Sequence, residues 1–130
     1  MILVDTHVVI WLAGEPERLS SKAMAAIEEA RRTGEGLAVC DITLWELTTL
    51  SAKGRISLDG GLDRFLRQVE ARFTILPVNA RACNVSLNLP PSYPRDPADR
   101  LIGATALASE LPLVTSDREI RRSRAVSTIW

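Results

Sequence analysis

Five short apolar runs punctuate the chain: Met1–Val4, Leu37–Cys40, Phe73–Val78, Leu113–Thr115 and Ala125–Trp130. Longer segments with helical spacing of apolar residues separate them. Runs this short, flanked by turn formers, read as buried strands rather than helices. Strands that alternate with helices must pair in parallel, because each connection has to cross back over the sheet. The expected fold is therefore α/β, a three-layer α/β/α sandwich around a central parallel sheet of four to five strands. At 130 residues, the chain suits one domain, residues 1–130.

The helices carry local start and stop signals. Thr6–Ala13 follows the first strand and ends at Gly14 and Pro16. Ser21–Arg32 follows Ser20 and has Ala, Met and Ile on one side, Glu28, Glu29, Arg31 and Arg32 on the other. Gly34 and Gly36 close it. Asp41 or Thr43 is placed to cap a helix running to about Lys53. Further helices are expected near Leu62–Ala71 and over Asn79–Leu87. The strongest start signal is Asp96-Pro97-Ala98-Asp99. Here Asp96 fits the N-cap, proline fits the first helical position and Asp99 the third. Pro112 stops that helix. A short helical turn then separates Asp117 from the last strand.

Composition narrows the classes. With 46% hydrophobic residues, a core needs no staples. Cys40 and Cys83 have no partner motif, so reduced core thiols and a cytoplasmic location are the expected reading. No apolar run is long enough to cross a bilayer. Net charge is zero, yet Arg118, Arg121, Arg122 and Arg124 crowd the C-terminus. A balanced total leaves room for an acidic pocket beside a basic rim.

Four acids fall at positions that matter. Ligands of open α/β sheets bind at the carboxyl ends of the strands. Asp5 ends the first strand and Asp117 follows a later one. Asp99 begins a helix, and Glu46 lies about a turn into the helix after the second strand. Convergence of four carboxylates is costly without a cation, since like charges repel or take up protons. Oxygen-only donors suit Mg²⁺ or Mn²⁺. One histidine and no paired cysteines disfavour zinc. Such a site suits phosphoryl chemistry, with the metal activating a water.

Val4-Asp5-Thr6-His7, Leu44-Trp45-Glu46-Leu47, Asp96-Pro97-Ala98-Asp99-Arg100-Leu101-Ile102-Gly103-Ala104 and Leu113-Val114-Thr115-Ser116-Asp117 together resemble PIN-domain ribonucleases. The closest resemblance is to the VapC toxins of bacterial and archaeal toxin–antitoxin pairs. It spans almost the whole chain in family order. It implies RNA cleavage dependent on Mg²⁺ or Mn²⁺, with Asp5, Glu46, Asp99 and Asp117 as the catalytic, metal-holding quartet. Asp96 corresponds to a further acid, and Thr6 and Ser116 to hydroxyl positions beside the metal. The resemblance also implies a homodimer and a cognate VapB-type antitoxin. Its helix and tail would occupy a groove near the active site.

Each residue also has a plainer reading. Asp5 would serve as a turn starter, Glu46 as a solvent-facing helix residue, Asp99 as a favourable charge at a helix start. Asp96 and Asp117 would serve as caps. Arg100 would pair with the acids or contact substrate. Tyr93 and Trp45 are candidates for base stacking, with core packing favoured for Trp45. His7 stands outside the catalytic set. Two other functions remain open: a PIN nuclease of RNA maturation with no toxin role, and a Mg²⁺-binding receiver module. The receiver needs an aspartate after the central strand and a lysine after a late one. Asn79 follows Val78, and the only lysines are Lys22 and Lys53.

Overall fold

A computed structural model describes residues 1–130. Its elements run β1 (Ile2–Val4), α1 (Thr6–Gly14), a 3-10 turn (Pro16–Arg18), α2 (Ser21–Arg32), β2 (Leu37–Cys40), α3 (Ile42–Ala52), α4 (Leu62–Arg72), β3 (Thr74–Leu76), α5 (Ala80–Leu87), α6 (Pro97–Ala108), β4 (Leu113–Val114), α7 (Arg118–Ser123) and β5 (Thr128–Ile129). The five strands form one sheet in the order β3-β2-β1-β4-β5. Every pairing is parallel.

The alternation of strand side chains builds two cores from one sheet. Ile2 and Val4, Leu37 and Val39, and Val114 point to a face covered by Val8 and Val9 of α1, Ala23 and Ile27 of α2, Leu47 of α3, and Phe65 and Val69 of α4. Leu3, Ala38, Cys40 and Leu113 point to the other face. There Tyr93 of the loop before α6, Ile102 and Ala106 of α6, and Ile120 of α7 close over them. A strand buried on both faces reads as a continuous apolar run, which is why these runs are visible in the sequence. The three-layer sandwich expected from the sequence is the fold observed.

Capping sets where the helices begin. Ser20 accepts the Ala23 N–H at 3.0 Å, and Asn79 accepts that of Ala82 at 2.9 Å. Asp41 stands at the N-cap of α3 without bonding its first turn. Its Oδ2 instead accepts the Val78 N–H at 3.2 Å, tying the start of α3 to the end of β3. Of the two cysteines, only Cys40 is a core thiol; Cys83 is exposed on α5. No helix is long and apolar enough to cross a membrane.

β1 is the centre of the sheet, and the chain turns to opposite sides of it: β2 and β3 lie one way, β4 and β5 the other. This reversal opens a crevice at the carboxyl ends of the strands. The central strand does end in an aspartate, Asp5, contrary to the expectation built on Val78 and Asn79. No lysine follows any strand, however: Lys22 lies in α2 and Lys53 closes α3.

Candidate metal centre

Asp5 sits at the end of β1 and is 7% exposed. Its Oδ1 accepts the Thr6 N–H at 2.8 Å, capping α1. Its Oδ2 accepts the Thr115 hydroxyl at 2.7 Å. The same Thr115 oxygen accepts the Asp117 N–H at 3.1 Å. One threonine at the end of β4 thus holds the acids of two neighbouring strand ends in register. Asp117 in turn caps α7, accepting the Ile120 N–H at 2.9 Å.

A second chain of hydroxyls positions Glu46. Thr6 Oγ1 donates to Glu46 Oε1 at 2.6 Å and lies 3.0 Å from Thr43 Oγ1. A hydroxyl has one proton to give. With that of Thr6 committed to Glu46, Thr43 must donate to Thr6. Both threonines are buried, so the relay is shielded from competing water.

Asp96 and Asp99 come from the start of α6. Asp96 Oδ2 accepts the Asp99 N–H at 3.1 Å, the N-cap bond expected of it. Its other oxygen remains available. Carboxylate oxygens of Glu46, Asp96 and Asp99 all lie within 4.8 Å of one another. The fifth candidate is therefore a cap and a member of the cluster at once. Asp5 and Asp117 lie outside this tightest group of three but couple to it by charge.

That coupling is visible in the proton affinities. Burial, followed by the charges of Asp5, Asp96, Glu46 and Asp117, pushes the Asp99 carboxyl from 3.8 up to about 7. Glu46 is raised by burial first, then by Asp5 and Asp96, against the Thr6 hydrogen bond. Asp5 is raised by burial, opposed by its bonds from Thr115 and Thr6. Carboxyls that resist ionisation together are what a bound cation relieves. The donors are all hard oxygens, which fits Mg²⁺ or Mn²⁺.

Several expected roles change. Arg100 does not pair with the acids. Its guanidinium donates to the Ser86 carbonyl at 2.9 Å and the Pro94 carbonyl at 3.3 Å, pinning the end of α5 and the proline-rich loop onto α6. Tyr93 is 1% exposed and offers no stacking face. Its hydroxyl donates to the Asp99 carbonyl at 2.8 Å, and its ring packs where a Gly103 side chain would stand. Trp45, expected in the core, is 59% exposed because α3 turns its neighbours Leu44 and Leu47 inward instead. The site's bonded hydroxyls are Thr6, Thr43 and Thr115, while Ser116 makes no side-chain hydrogen bond within the chain. In the sequence Thr43 reads only as a helix cap and Thr115 only as a strand end, and neither is marked as a site residue. A polar residue closing an otherwise apolar run was the available signal for Thr115.

Residues 2–125 match the family model described as PIN domain. Over 99% of its length the chain is 38% identical to Ribonuclease VapC22 of Mycobacterium tuberculosis, covering 98% of that protein. Among solved structures, VapBC2 from Rickettsia felis bound to a promoter DNA fragment superposes with a TM-score of 0.72 at 17% identity, covering 98% of this chain and 97% of that one. DNA-bound VapBC from Salmonella typhimurium gives a TM-score of 0.68 at 22% identity, with coverage of 98% and 97%. At these identities the two structures speak for the fold alone.

Proposed function

The chain belongs to the PIN-domain family, and from that premise we propose that it is a metal-dependent endoribonuclease, the toxin of a VapBC-type toxin–antitoxin pair. The observation that carries this is the meeting of Glu46, Asp96 and Asp99 within 4.8 Å, beside Asp5 and Asp117 at the crevice of the sheet. We read residues 1–130 as one catalytic domain, since every strand joins one sheet.

Glu46, Asp96 and Asp99 would hold the ion, with Asp5 and Asp117 completing the negative field. When bound, Mg²⁺ or Mn²⁺ supplies Lewis acidity toward the scissile phosphodiester and lowers the pKa of water. The protein's own share is positional. Thr6 fixes the rotamer of Glu46, and Thr43 fixes Thr6. Thr115 holds Asp5 against rotation. Asp99, whose carboxyl is pushed up to about 7 by burial and the neighbouring acids, would hold the ion in its ionised form. The name of the 38% identical relative, a ribonuclease, supports RNA as the substrate.

A cognate VapB-type antitoxin and a homodimer belong to the same reading. A groove beside α1 and α4, with Val9, Leu12, Phe65, Val69 and Phe73 on its floor and Arg31, Gln68 and Arg72 also lining it, offers the surface for an amphipathic antitoxin helix. Its apolar lining suits the helix-in-groove mode of recognition.

The decisive experiment incubates purified protein with RNA and either Mg²⁺ or Mn²⁺. Cleavage should appear with metal, vanish with EDTA and be absent in Glu46→Gln and Asp99→Asn. If the unaltered protein cuts no RNA with either ion, the proposal fails.

A further inference from the structure

α7 is a single six-residue turn-and-a-half whose exposed residues are Arg118, Glu119, Arg121 and Arg122. Ile120, 1% exposed, anchors it to the core, and Asp117 caps its start. Arg118, Arg121, Arg122 and Arg124 are all exposed. Together they line one concavity, to which no apolar residue contributes. None of the four is engaged in an ion pair, since the chain's arginine salt bridges involve Arg18, Arg32 and Arg67. Glu119, the one acid on the helix, forms no ion pair with any of them.

The backbone adds a second observation. Arg124 adopts φ 53°, in the left-handed region, as the C-cap of α7. Glycine is the residue that takes this conformation at no steric penalty, and it dominates such caps. Here an arginine accepts the strain, which turns the chain and adds the fourth guanidinium to the cluster.

Four unpaired guanidiniums around one hollow concentrate positive charge and favour an anionic occupant. A protein segment would be expected to bury apolar anchors, and this lining has none. The apolar groove beside α1 and α4 has that character instead. Guanidinium groups alone match phosphate oxygens, which they grip through paired N–H donors. The cup also begins one residue after Asp117. Asp117 is in turn tied through the Thr115 hydroxyl to Asp5, so the cup is built on the same strand-end segment as two of the site's acids.

We infer that Arg118, Arg121, Arg122 and Arg124 form a phosphate-binding cup that holds the backbone of single-stranded RNA beside the metal centre. This rests on the ribonuclease reading for its choice of nucleic acid. The cup sets affinity, and it takes no part in bond cleavage. Its contribution is electrostatic, sequence-independent and steeply salt-dependent.

The test separates binding from chemistry. Binding of a non-cleavable 2′-O-methyl oligoribonucleotide is measured by fluorescence anisotropy in EDTA across a salt series. Hydrolysis of a small chromogenic phosphodiester is measured separately with Mn²⁺. Replacing all four arginines by glutamine should weaken oligonucleotide binding more than tenfold at low salt. It should also flatten the dependence of log K on log salt by about 3, since each phosphate contact on a single strand contributes about 0.7. Replacing all four by lysine should keep most of the slope, because point charges still release counterions. Small-diester hydrolysis should be unchanged in both variants. If the fourfold glutamine variant does not fold, single Arg121→Gln and Arg122→Gln changes should each remove about 0.7 from the slope. An unaltered affinity and slope would overturn the cup. So would loss of affinity for a poly-glutamate peptide with RNA binding intact, which would give the cup to an acidic protein partner. Absence of small-diester hydrolysis by the unaltered protein would instead strike the nuclease reading, leaving the binding result to decide the cup.

Discussion

Thr115 and Asp5, 110 positions apart in the chain, are joined by a 2.7 Å hydrogen bond from the threonine hydroxyl to the aspartate's Oδ2. The bond crosses from β4 to β1 at the crevice, inside the core. Because Thr115 also accepts the Asp117 N–H, it ties together the two acids that flank the reversal of strand order.

Thr115→Val keeps the shape and β-branching while removing both bonds. One buried carboxylate oxygen and one backbone N–H lose their partner, at a cost of about 1–3 kcal/mol. Groups that orient metal ligands commonly matter about 10–100-fold to metal affinity or activity. Urea denaturation and RNA cleavage should therefore both show a loss. Equal stability and unchanged cleavage would mean that Asp5 holds its position without Thr115.

Proton linkage gives an unusual pH dependence. Asp99 ionises at about 7 in the folded chain and at 3.8 in the reference state. The folded state thus retains a proton that the unfolded chain releases. That contribution to stability is complete below about 4 and is lost as pH rises through about 7. Glu46 and Asp5 shift in the same direction. In EDTA, stability to urea should fall between pH 5 and pH 8, and Mg²⁺ should restore it at the upper end by replacing the protons. Asp99→Asn should flatten the slope and stabilise the metal-free protein at pH 8, while abolishing cleavage. A metal-free protein that grows more stable across this window would contradict the shared charge repulsion.

Asp96 plays two parts that one substitution can separate. Serine caps helices about as well as aspartate but brings no carboxylate to the cluster. Asp96→Ser should leave thermal stability within about 0.5 kcal/mol of the parent, the range of substitutions that disturb no key contact. It should nonetheless weaken Mn²⁺ binding measured by calorimetry. Asp96→Ala should lose about 1 kcal/mol of stability as well. If Asp96→Ser binds Mn²⁺ like the parent, the residue is a cap only.

Gly103 lies under the Tyr93 ring. A methyl group there would meet Tyr93 Cζ at 2.6 Å and Cε2 at 3.1 Å, as well as the hydroxyl oxygen. Gly103→Ala gains helix propensity worth about 1 kcal/mol, yet it overpacks a rigid ring at a typical cost of about 1–3 kcal/mol. Net destabilisation is expected by thermal melting, with reduced cleavage, because Tyr93 also holds the Asp99 carbonyl. Tyr93→Phe in the same background should give only partial rescue, since the ring itself still collides. A more stable Gly103→Ala protein would show that the ring moves freely.

The acids were legible because their local settings are short-range. Asp96-Pro97-Ala98-Asp99 announces a helix start through capping chemistry contained within one turn. Asp5 and Asp117 follow apolar runs that are strands on periodicity alone. Glu46 had less local support, and only its family resemblance marked it out. Thr43 and Thr115 were missed because a threonine near a strand or helix start is ordinary until its partner is known. The pair with the acids, one of two roles expected of Arg100, does not form for a related reason. Adjacency to Asp99 suggested a charge pair, but successive helix positions point in different directions, and the side chain found backbone carbonyls of α5 and the following loop.

Periodicity, capping and turn chemistry act within a few residues, and from them the sequence alone determined the order of elements, the parallel two-faced sheet and the strand-end acids. Tertiary structure decided which oxygens meet, which hydroxyls aim them, and which aromatic is buried: Tyr93 inside, Trp45 outside. Those outcomes depend on the register between β1, β4, α3 and α6, segments brought together from distant parts of the chain. A carboxylate's proton affinity and a threonine's donor direction are properties of that meeting, and no local pattern encodes them.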